Sequence, residues 1–416
     1  MKILTIALFG LLFFSDLIAQ PLADGREKFF GNIINDGSRI PTQFAELWNQ
    51  VTPENAGKWG SVEGSRNNYQ WGNLDKIYKF AKDHNFLFRQ HTFVWGQQYP
   101  AWIANVDSAT QVYEVEEWIR LYGKRYPNTD FIDVVNEPTH DQPPFKAAIG
   151  GAGKTGYDWV IWSFEKARQY NPTAKLHINE FGVLNGWVPT STYVRIINLL
   201  KERNLIDGVA VQAHFLESTP ASAIKSRLNE LAKTGLPIYI TEYDVNLADD
   251  EQHLKRFQEQ VTTIYEHPAV AGMTLWGYVQ GQMWRTDGYL IRRDGSDRPA
   301  MTWLRSYFAG GSAVETGEQT PLEFTLHQNF PNPFNPQTTV TFDLPEPARV
   351  RTIITNALGQ TLTTLVDDDL DMGTHRFVWD ARSSGGPVAG GVYFCRVEAQ
   401  VAGRRFHRSI KMISLK

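Results

Sequence analysis

Phe131-Ile-Asp-Val-Val-Asn-Glu137-Pro138 and Leu236-Pro-Ile-Tyr-Ile-Thr-Glu242-Tyr-Asp244 are two apolar, strand-like runs, each carrying a glutamate at its end. The glutamates lie too far apart in the chain to share one helix or one hairpin. If the runs are parallel strands of one barrel, their carboxyls can meet at its mouth. A lone glutamate at a strand end is ordinarily just solvated. Two of them, inside a repeating pattern and beside polar and aromatic neighbours, ask for a functional explanation.

The repeat extends outward from both runs. Between about 27 and 308, β-rich segments at 29–34, 47–52, 86–94, 131–136, 175–179, 208–213, 238–241 and 272–276 alternate with helix-period stretches. The latter include 74–84, 112–126, 159–170, 193–203 and 252–265. Eight strands with helical crossovers predict a (β/α)8 TIM barrel. A doubly wound open sheet is the competing topology, but no glycine-rich phosphate loop follows any strand. In a barrel the C-terminal strand ends converge on one face. Polar or aromatic residues stand at those ends: Glu54-Asn55, His91, Asn136-Glu137, Asn179-Glu180, Gln212 and His214, Glu242 and Asp244, and Trp276.

Composition describes a soluble globular chain of 416 residues, with 42% hydrophobic and 21% charged residues. A net charge of −4 gives no reason to expect nucleic acid or an anionic membrane as partner. The 13 tryptophans fit either a large aromatic core or a cleft whose flat indole faces stack on sugar rings. One cysteine, Cys395, rules out an intrachain disulfide framework, and no Cys/His zinc spacing occurs, so no metal or cofactor is expected. Residues 1–19 read as a signal peptide: a basic residue, a short apolar stretch, then Leu17-Ile18-Ala19 as the cleavage site.

Two carboxyls flanking one bond are the equipment of glycoside hydrolysis, where one acid protonates the leaving oxygen and the other attacks or activates water. Here the sequence becomes specific. Thr52-Pro-Glu-Asn-Ala-Gly-Lys-Trp59, His91-Thr-Phe-Val-Trp95, Asp133-Val-Val-Asn-Glu137, Val211-Gln-Ala-His214, Ile240-Thr-Glu-Tyr-Asp244 and Trp276…Trp284 occur in this order. The first domain, residues 20–308, thereby resembles glycoside hydrolase family 10, the xylanases. The resemblance implies an endo-acting, retaining cleavage of β-1,4-xylan, with Glu242 as nucleophile and Glu137 as acid/base. It implies sugar contacts at Glu54, Asn55, Lys58, His91, Trp95, Gln98, Asn136, Asn179, Gln212, His214, Trp276 and Trp284. Asp244 would fix the His214 imidazole that donates to Glu242, and Gln212 would tune Glu137. Xylan or xylo-oligosaccharide is the implied substrate, with a β-1,4-glucanase on the same barrel and a non-catalytic sugar-binding domain as the other readings. A monomer is expected.

Blander roles exist for several of these residues. Glu54 and Lys58 have the spacing of a helix-surface ion pair, His91 could be a satisfied core histidine, and the tryptophans could be core aromatics. The chain also departs from the family pattern. Gly96 follows Trp95 where a histidine is usual, Asn179-Glu180-Phe181 replaces Asn-Asp-Tyr, and Tyr243 replaces leucine. The stretch 276–284 lacks the usual Thr/Asp and Ser.

Composition shifts at 309–321, a small polar linker, and 322–416 then shows period-2 segments at 338–344, 349–355, 375–379, 392–397 and 405–411. This predicts an all-β sandwich. Gln328-Asn-Phe-Pro-Asn-Pro-Phe-Asn-Pro336, Gly391-Val-Tyr-Phe394 and the basic end at 411–416 resemble a type IX secretion sorting domain. That resemblance implies a Gram-negative host of the Bacteroidetes kind or its relatives, recognition by outer-membrane secretion machinery, and a secreted or surface-attached enzyme. A carbohydrate-binding module with Trp379 and Tyr393 as platform is the alternative. The acidic run 367–371 reads as a solvated turn, since it lacks the spacing of a calcium loop.

Overall fold

The computed structural model describes residues 20–309, 324–329, 332–344, 346–370, 373–383, 386–401 and 404–415. The stretch 1–19 that reads as a signal peptide and nearly all of the linker lie outside these. The chain divides into two compact units, Met1–Gly311 and Ser312–Lys416.

In the first unit β1 (Phe29–Ile34), β2 (Gln50–Pro53), β3 (Leu87–Val94), β4 (Phe131–Asn136), β5 (Lys175–Glu180), β6 (Gly208–Ala213), β7 (Ile238–Tyr243) and β8 (Val270–Leu275) close a barrel in sequence order. Every neighbouring pair is parallel, including β1 with β8. The crossovers carry α1 (Phe44–Leu47), α2 (Trp59–Val62), α3 (Gly72–Asp83), α4 (Ser108–Arg125), α5 (Asp158–Tyr170), α6 (Thr190–Lys201), α7 (Ala221–Ala232) and α8 (Asp250–Tyr265). The last strand is followed by α9 (Pro299–Phe308).

The strands are buried on both faces, as parallel strands covered by helices must be. The helices bury one stripe each. In α4, Val115, Trp118, Ile119 and Tyr122 face inward, while Asp107 caps the start by accepting from the Thr110 amide at 3.0 Å. Asp249 caps α8 in the same way through the Gln252 amide, 2.9 Å. Phe29, Phe131 and Tyr239, near the starts of their strands, plug the N-terminal mouth, with the Arg89 guanidinium 5.1 Å from the Phe131 ring centre. Gly272 makes that plug possible, because a Cβ there would sit 2.3 Å from the Phe29 ring. The opposite mouth is left for polar residues.

Boundaries moved where local packing competed with strand pattern. The segment at 47–52 starts as a strand only at Gln50, because Phe44 and Leu47 bury together as one face of α1. Strands β5 and β7 run on to Glu180 and Tyr243, so Glu242 sits within the sheet rather than beyond it.

The second unit holds β9 (Thr325–Leu326), β10 (Thr338–Leu344), β11 (Ala348–Asn356), β12 (Thr361–Leu370), β13 (Gly373–Trp379), β14 (Arg382–Ser383), β15 (Gly386–Pro387), β16 (Gly391–Val401) and β17 (Arg404–Ser414). They form sheets ordered β13-β10-β9, β12-β11-β16-β17 and β14-β15. One apolar cluster draws on both larger sheets, with Val340 and Phe342 from one and Val350, Ile354, Cys395 and Val397 from the other. Two expectations are corrected. The acidic run is no turn: Asp367, Asp368 and Asp369 lie in edge strand β12, opposite Arg351, Val350 and Arg349, and Arg349 binds Asp367 at 2.9 Å. Cross-strand charge pairing keeps these carboxylates extended. Nor do Trp379 and Tyr393 form a platform, since both are buried and meet edge to face at 5.2 Å.

Each unit buries its own core, so a chain ending after Gly311 should fold alone. Its thermal midpoint, read by circular dichroism, is expected within a few degrees of the full chain's barrel transition. A collapse of that transition on truncation would show that the barrel needs its neighbour.

Candidate active site

The C-terminal ends of β2 to β8 surround a cleft of about 510 Å³. It is lined by both glutamates, by Glu54, Asn55 and Lys58 on one side, and by Phe181, Phe215 and Trp284 on another. His91, Trp95, Gln98, Asn136, Gln212, His214 and Trp276 complete most of the wall. Asn179 and Asp244 stand behind that surface and act through the residues they bond.

Glu242 is nearly enclosed, 4% exposed. Burial pushes its carboxyl up, yet its net shift is downward, because the charges of His91 and His214 and hydrogen bonds from His214 and Asn179 outweigh burial. Asn179 Nδ2 donates to Oε1 at 2.7 Å, and His214 Nε2 lies 3.3 Å from Oε2. The other ring nitrogen of His214 meets Asp244 Oδ2 at 2.8 Å. Burial opposes a charged imidazole, but two flanking carboxylates prevail and raise His214 to about 10. The ring is therefore an imidazolium that donates at both ends. Asp244 in turn receives Arg285 Nη1 at 2.6 Å and Trp284 Nε1 at 3.0 Å, and the charges and hydrogen bonds of His214 and then Arg285 keep its carboxyl below the usual range despite burial.

Glu137 shows the opposite balance. It stands one residue past β4 with φ of 52°, a left-handed turn that swings its carboxyl over the mouth. Burial, a hydrogen bond with Asp141 and the nearby Glu242 charge raise it to about 8, against the lowering effect of Gln212 and Trp95. Gln212 Nε2 donates to Oε1 at 2.9 Å and Trp95 Nε1 to Oε2 at 3.0 Å. One carboxyl is thus held neutral and the other charged, the division of labour that acid-plus-nucleophile chemistry requires.

Asn136 ties the two halves together. Its Oδ1 accepts from Asn179 Nδ2 at 2.8 Å and Gln212 Nε2 at 3.1 Å, while Thr241 Oγ1 donates to Asn179 Oδ1 at 2.7 Å. With the Asn136 oxygen filled, the NH2 group is the part left to donate to a sugar hydroxyl. Below the floor, His91 Nδ1 meets Asp133 Oδ2 at 3.1 Å, and Asp133 Oδ1 receives Arg89 at 2.6 Å.

Glu54 and Lys58 do not share a helix: Glu54 follows β2 and Lys58 precedes α2. The helix-surface pairing is excluded. Lys58 is 6% exposed, donates to Asn55 Oδ1 at 3.0 Å and Gln98 Oε1 at 2.5 Å, and lies 5.0 Å from the Trp95 ring centre. An ammonium has three donors, so one remains for a ligand. His91 lines the cleft rather than an apolar core, 5.4 Å from Trp276.

Gly96 explains one departure from the family pattern. A Cβ there would approach the Asp141 carbonyl to 2.3 Å, and the Gly96 amide donates to that carbonyl at 2.8 Å. The chain after Glu137 fills the space a histidine would need. Asp141, Phe215 and Arg285 belong to the site but gave no sequence signal beyond standing near a motif residue. Among the described residues no group of His, Cys, Asp or Glu side chains is arranged to hold a metal ion.

Residues 23–307 match the family model for glycosyl hydrolase family 10, and 331–403 match that for a FlgD Ig-like domain. Endo-1,4-beta-xylanase B of Cellvibrio japonicus is 42% identical over 280 residues, covering 67% of this chain and 45% of that protein. An endo-1,4-beta-xylanase of Agaricus bisporus is 30% identical over 247 residues, covering 57% of this chain and 74% of that one. The barrel superposes on native xylanase 10B of Thermotoga maritima with a TM-score of 0.61 at 24% identity, covering 70% of this chain and 97% of that one, a likeness of fold.

Gln212 stabilises the charged form of Glu137, so Gln212→Leu should raise the Glu137 titration midpoint above its value of about 8. Carboxyl-carbon NMR titration of the two proteins checks this, and a lowered or unchanged midpoint would contradict the assigned hydrogen bond.

Proposed function

The chain belongs to glycosyl hydrolase family 10, and we propose that it is an endo-1,4-β-xylanase that cleaves internal xylosidic bonds with retention of configuration. One observation carries this reading. Within a single cleft, Glu137 is held as an acid while Glu242 is held as an anion.

In the first step Glu137 gives its proton to the leaving glycosidic oxygen while the Glu242 carboxylate attacks the anomeric carbon, forming a glycosyl-enzyme ester. Glu137, now ionised, takes a proton from water as that water attacks the same carbon and frees Glu242. The His214 imidazolium withdraws charge from Glu242 and so also eases its departure in the second step. Asn136 would hold the 2-hydroxyl of the sugar at the cleavage point through its NH2 group. Lys58, Asn55 and Glu54 would bind the next sugar toward the non-reducing end, where remote binding lowers the barrier at the reacting bond.

For localisation we propose export by the apolar 1–19 stretch and delivery to the cell surface or beyond through residues 322–416. The Asn/Pro run at 328–336, the basic end and the match to a FlgD Ig-like domain support a β-sandwich module of this kind. A host strain whose enzyme lacks 322–416 should retain the protein inside the cell, which fractionation and blotting would reveal.

Glu242→Ala should abolish turnover of every substrate, since no nucleophile remains. Glu137→Ala should hurt substrates with poor leaving groups most and spare activated aryl glycosides. Equal losses across leaving groups would remove Glu137 from the acid role. In the wild type, kcat/KM should fall on the basic side as free-enzyme Glu137 loses its proton near pH 8. Reducing-sugar release from xylan against carboxymethylcellulose tests the substrate.

Lys58→Ala removes a charge-assisted hydrogen bond, which costs about 1.5–3 kcal/mol or roughly ten- to a hundred-fold in kcat/KM on xylo-oligosaccharides. An aryl monoxyloside, with no sugar at that position, should be barely affected. Small, equal effects on both substrates would retire the assignment.

A further inference from the structure

Asp141 stands four residues past Glu137, on a turn that the barrel holds from both sides. The amides of His140 and Asp141 donate to the Glu137 carbonyl at 3.1 and 3.0 Å, which folds the chain back over the strand end. On one side lies Glu180, fully buried. Its Oε2 accepts from the Thr139 amide at 2.9 Å and the Thr139 hydroxyl at 2.8 Å, and its Oε1 lies 2.9 Å from His140 Nδ1. On the other side the Gly96 amide donates to the Asp141 carbonyl at 2.8 Å, and a Cβ at Gly96 would collide with the backbone of Asp141 and Gln142. The turn closes this far only because position 96 carries no side chain.

That closure brings a further carboxyl to the acid. Asp141 lines the cleft with Glu137 and makes a hydrogen bond with its carboxyl. Two carboxyls this close keep one proton between them, because charging both is opposed by their repulsion, and the more buried one holds it. Glu137 is 8% exposed, whereas Asp141 is half-buried and its Oδ2 accepts from Gln97 Nε2 at 2.6 Å. Gln97 thus keeps Asp141 in the acceptor role and leaves the proton on Glu137. The other titratable groups lining the cleft are Glu54 and Lys58 after β2, His91 from β3, His214 after β6 and Glu242 from β7. Lys58 favours an anion at Glu137 and Glu242 opposes it. His140 and Glu180, behind the turn, bond each other. Once Glu242 is esterified its charge is gone, and Asp141 is the bonded carboxyl that still opposes an anion at Glu137.

We propose that Asp141 is a positioning residue for the reaction, whose carboxyl accepts a hydrogen bond from Glu137 and so holds the catalytic proton until the leaving oxygen arrives. The proposal rests on the reading of Glu137 as the acid. In the first step the proton passes from Glu137 to the leaving oxygen, and the hydrogen bond to Asp141 is given up. Asp141 itself neither gains nor loses a proton. In the second step the ionised Glu137 faces Asp141 with no proton between them, which makes Glu137 a stronger base toward the attacking water. One residue thus serves both halves of the reaction by opposing negative charge at one point.

Asp141→Asn, Asp141→Ala and the wild type are to be compared by carboxyl-carbon NMR titration of Glu137 and by pH profiles of kcat/KM. In Asp141→Asn the amide can donate to Glu137, so the midpoint of about 8 should fall by about one pH unit or more. Asp141→Ala removes the acceptor without adding a donor and should lower it less. On xylohexaose the ratio of kcat/KM at about pH 8 to that at about pH 6 should be roughly five-fold smaller for Asp141→Asn than for the wild type, whatever the absolute rates. An aryl xylobioside with a good leaving group needs little protonation in the first step, so the same ratio should be equal in all three proteins. An unmoved or raised Glu137 midpoint in Asp141→Asn would overturn the proposal. So would a loss on xylohexaose that is uniform across pH, which would mark Asp141 as a residue of binding or structure alone. A wild-type basic limb that persists on the aryl substrate would instead count against Glu137 as the acid. The NMR titration would then still decide the link between Asp141 and Glu137.

Discussion

A carboxylate buried at the mouth of the barrel must be kept charged, and most of the site follows from that constraint. Taking an ion out of water is costly unless it is paired and hydrogen-bonded. Glu242 meets the condition through Asn179 and His214. The imidazolium then needs its own counter-charge, supplied by Asp244, and Asp244 needs Arg285. Charges alternate outward from Glu242 until Arg285 and Glu217 reach the rim. Each link is affordable only because the next one exists, so the strand ends of β6 and β7 and the loop after β8 are bound into one electrostatic unit.

Glu137 owes its different behaviour to what it lacks. Among the described residues no cation of the His214 kind bonds to it; its donors are the neutral Gln212 and Trp95, and Asp141 on its other side raises it further. Neutral hydrogen bonds lower its proton affinity less than burial raises it. Asn136 bonds indirectly to both carboxyls, through Gln212 to one and through Asn179 to the other. The acid and the nucleophile are thus positioned by one amide network while their charge states are set separately. Such a network must be fully satisfied to be rigid, since a half-satisfied buried polar group is costly.

The two ends of the cleft use different physics. Toward Lys58, charge and directed hydrogen bonds can recognise particular hydroxyls. Toward Phe181 and Phe215 the wall is made of aromatic rings. The second unit solves another problem. Its edge strand β12 carries Asp367, Asp368 and Asp369 toward its C-terminal end, and this cluster of charge discourages pairing with another chain's edge there.

The sequence determined the barrel and the convergence of Glu137 and Glu242 on one cleft, because short β-rich apolar runs ending in polar residues and alternating with helix-period stretches report strand and end together. The His214–Asp244 link was legible too, since each ends a motif just past one of two neighbouring strands, and Asp244 lies two residues beyond Glu242. The acidic run at 367–369 was misread because charge density favours a turn in isolation, whereas the facing Arg349 and Arg351 lie on another strand. Spacing was equally silent on Trp379 and Tyr393, whose burial depends on which sheet faces they meet. Only tertiary structure decided the opposite charge states of two identical side chains, the role of Arg285 and the alignment of Trp187 with Phe215. Those depend on distances between segments far apart in the chain, and a pKa or a stacked ring is set by what surrounds a group in space rather than by its neighbours in sequence.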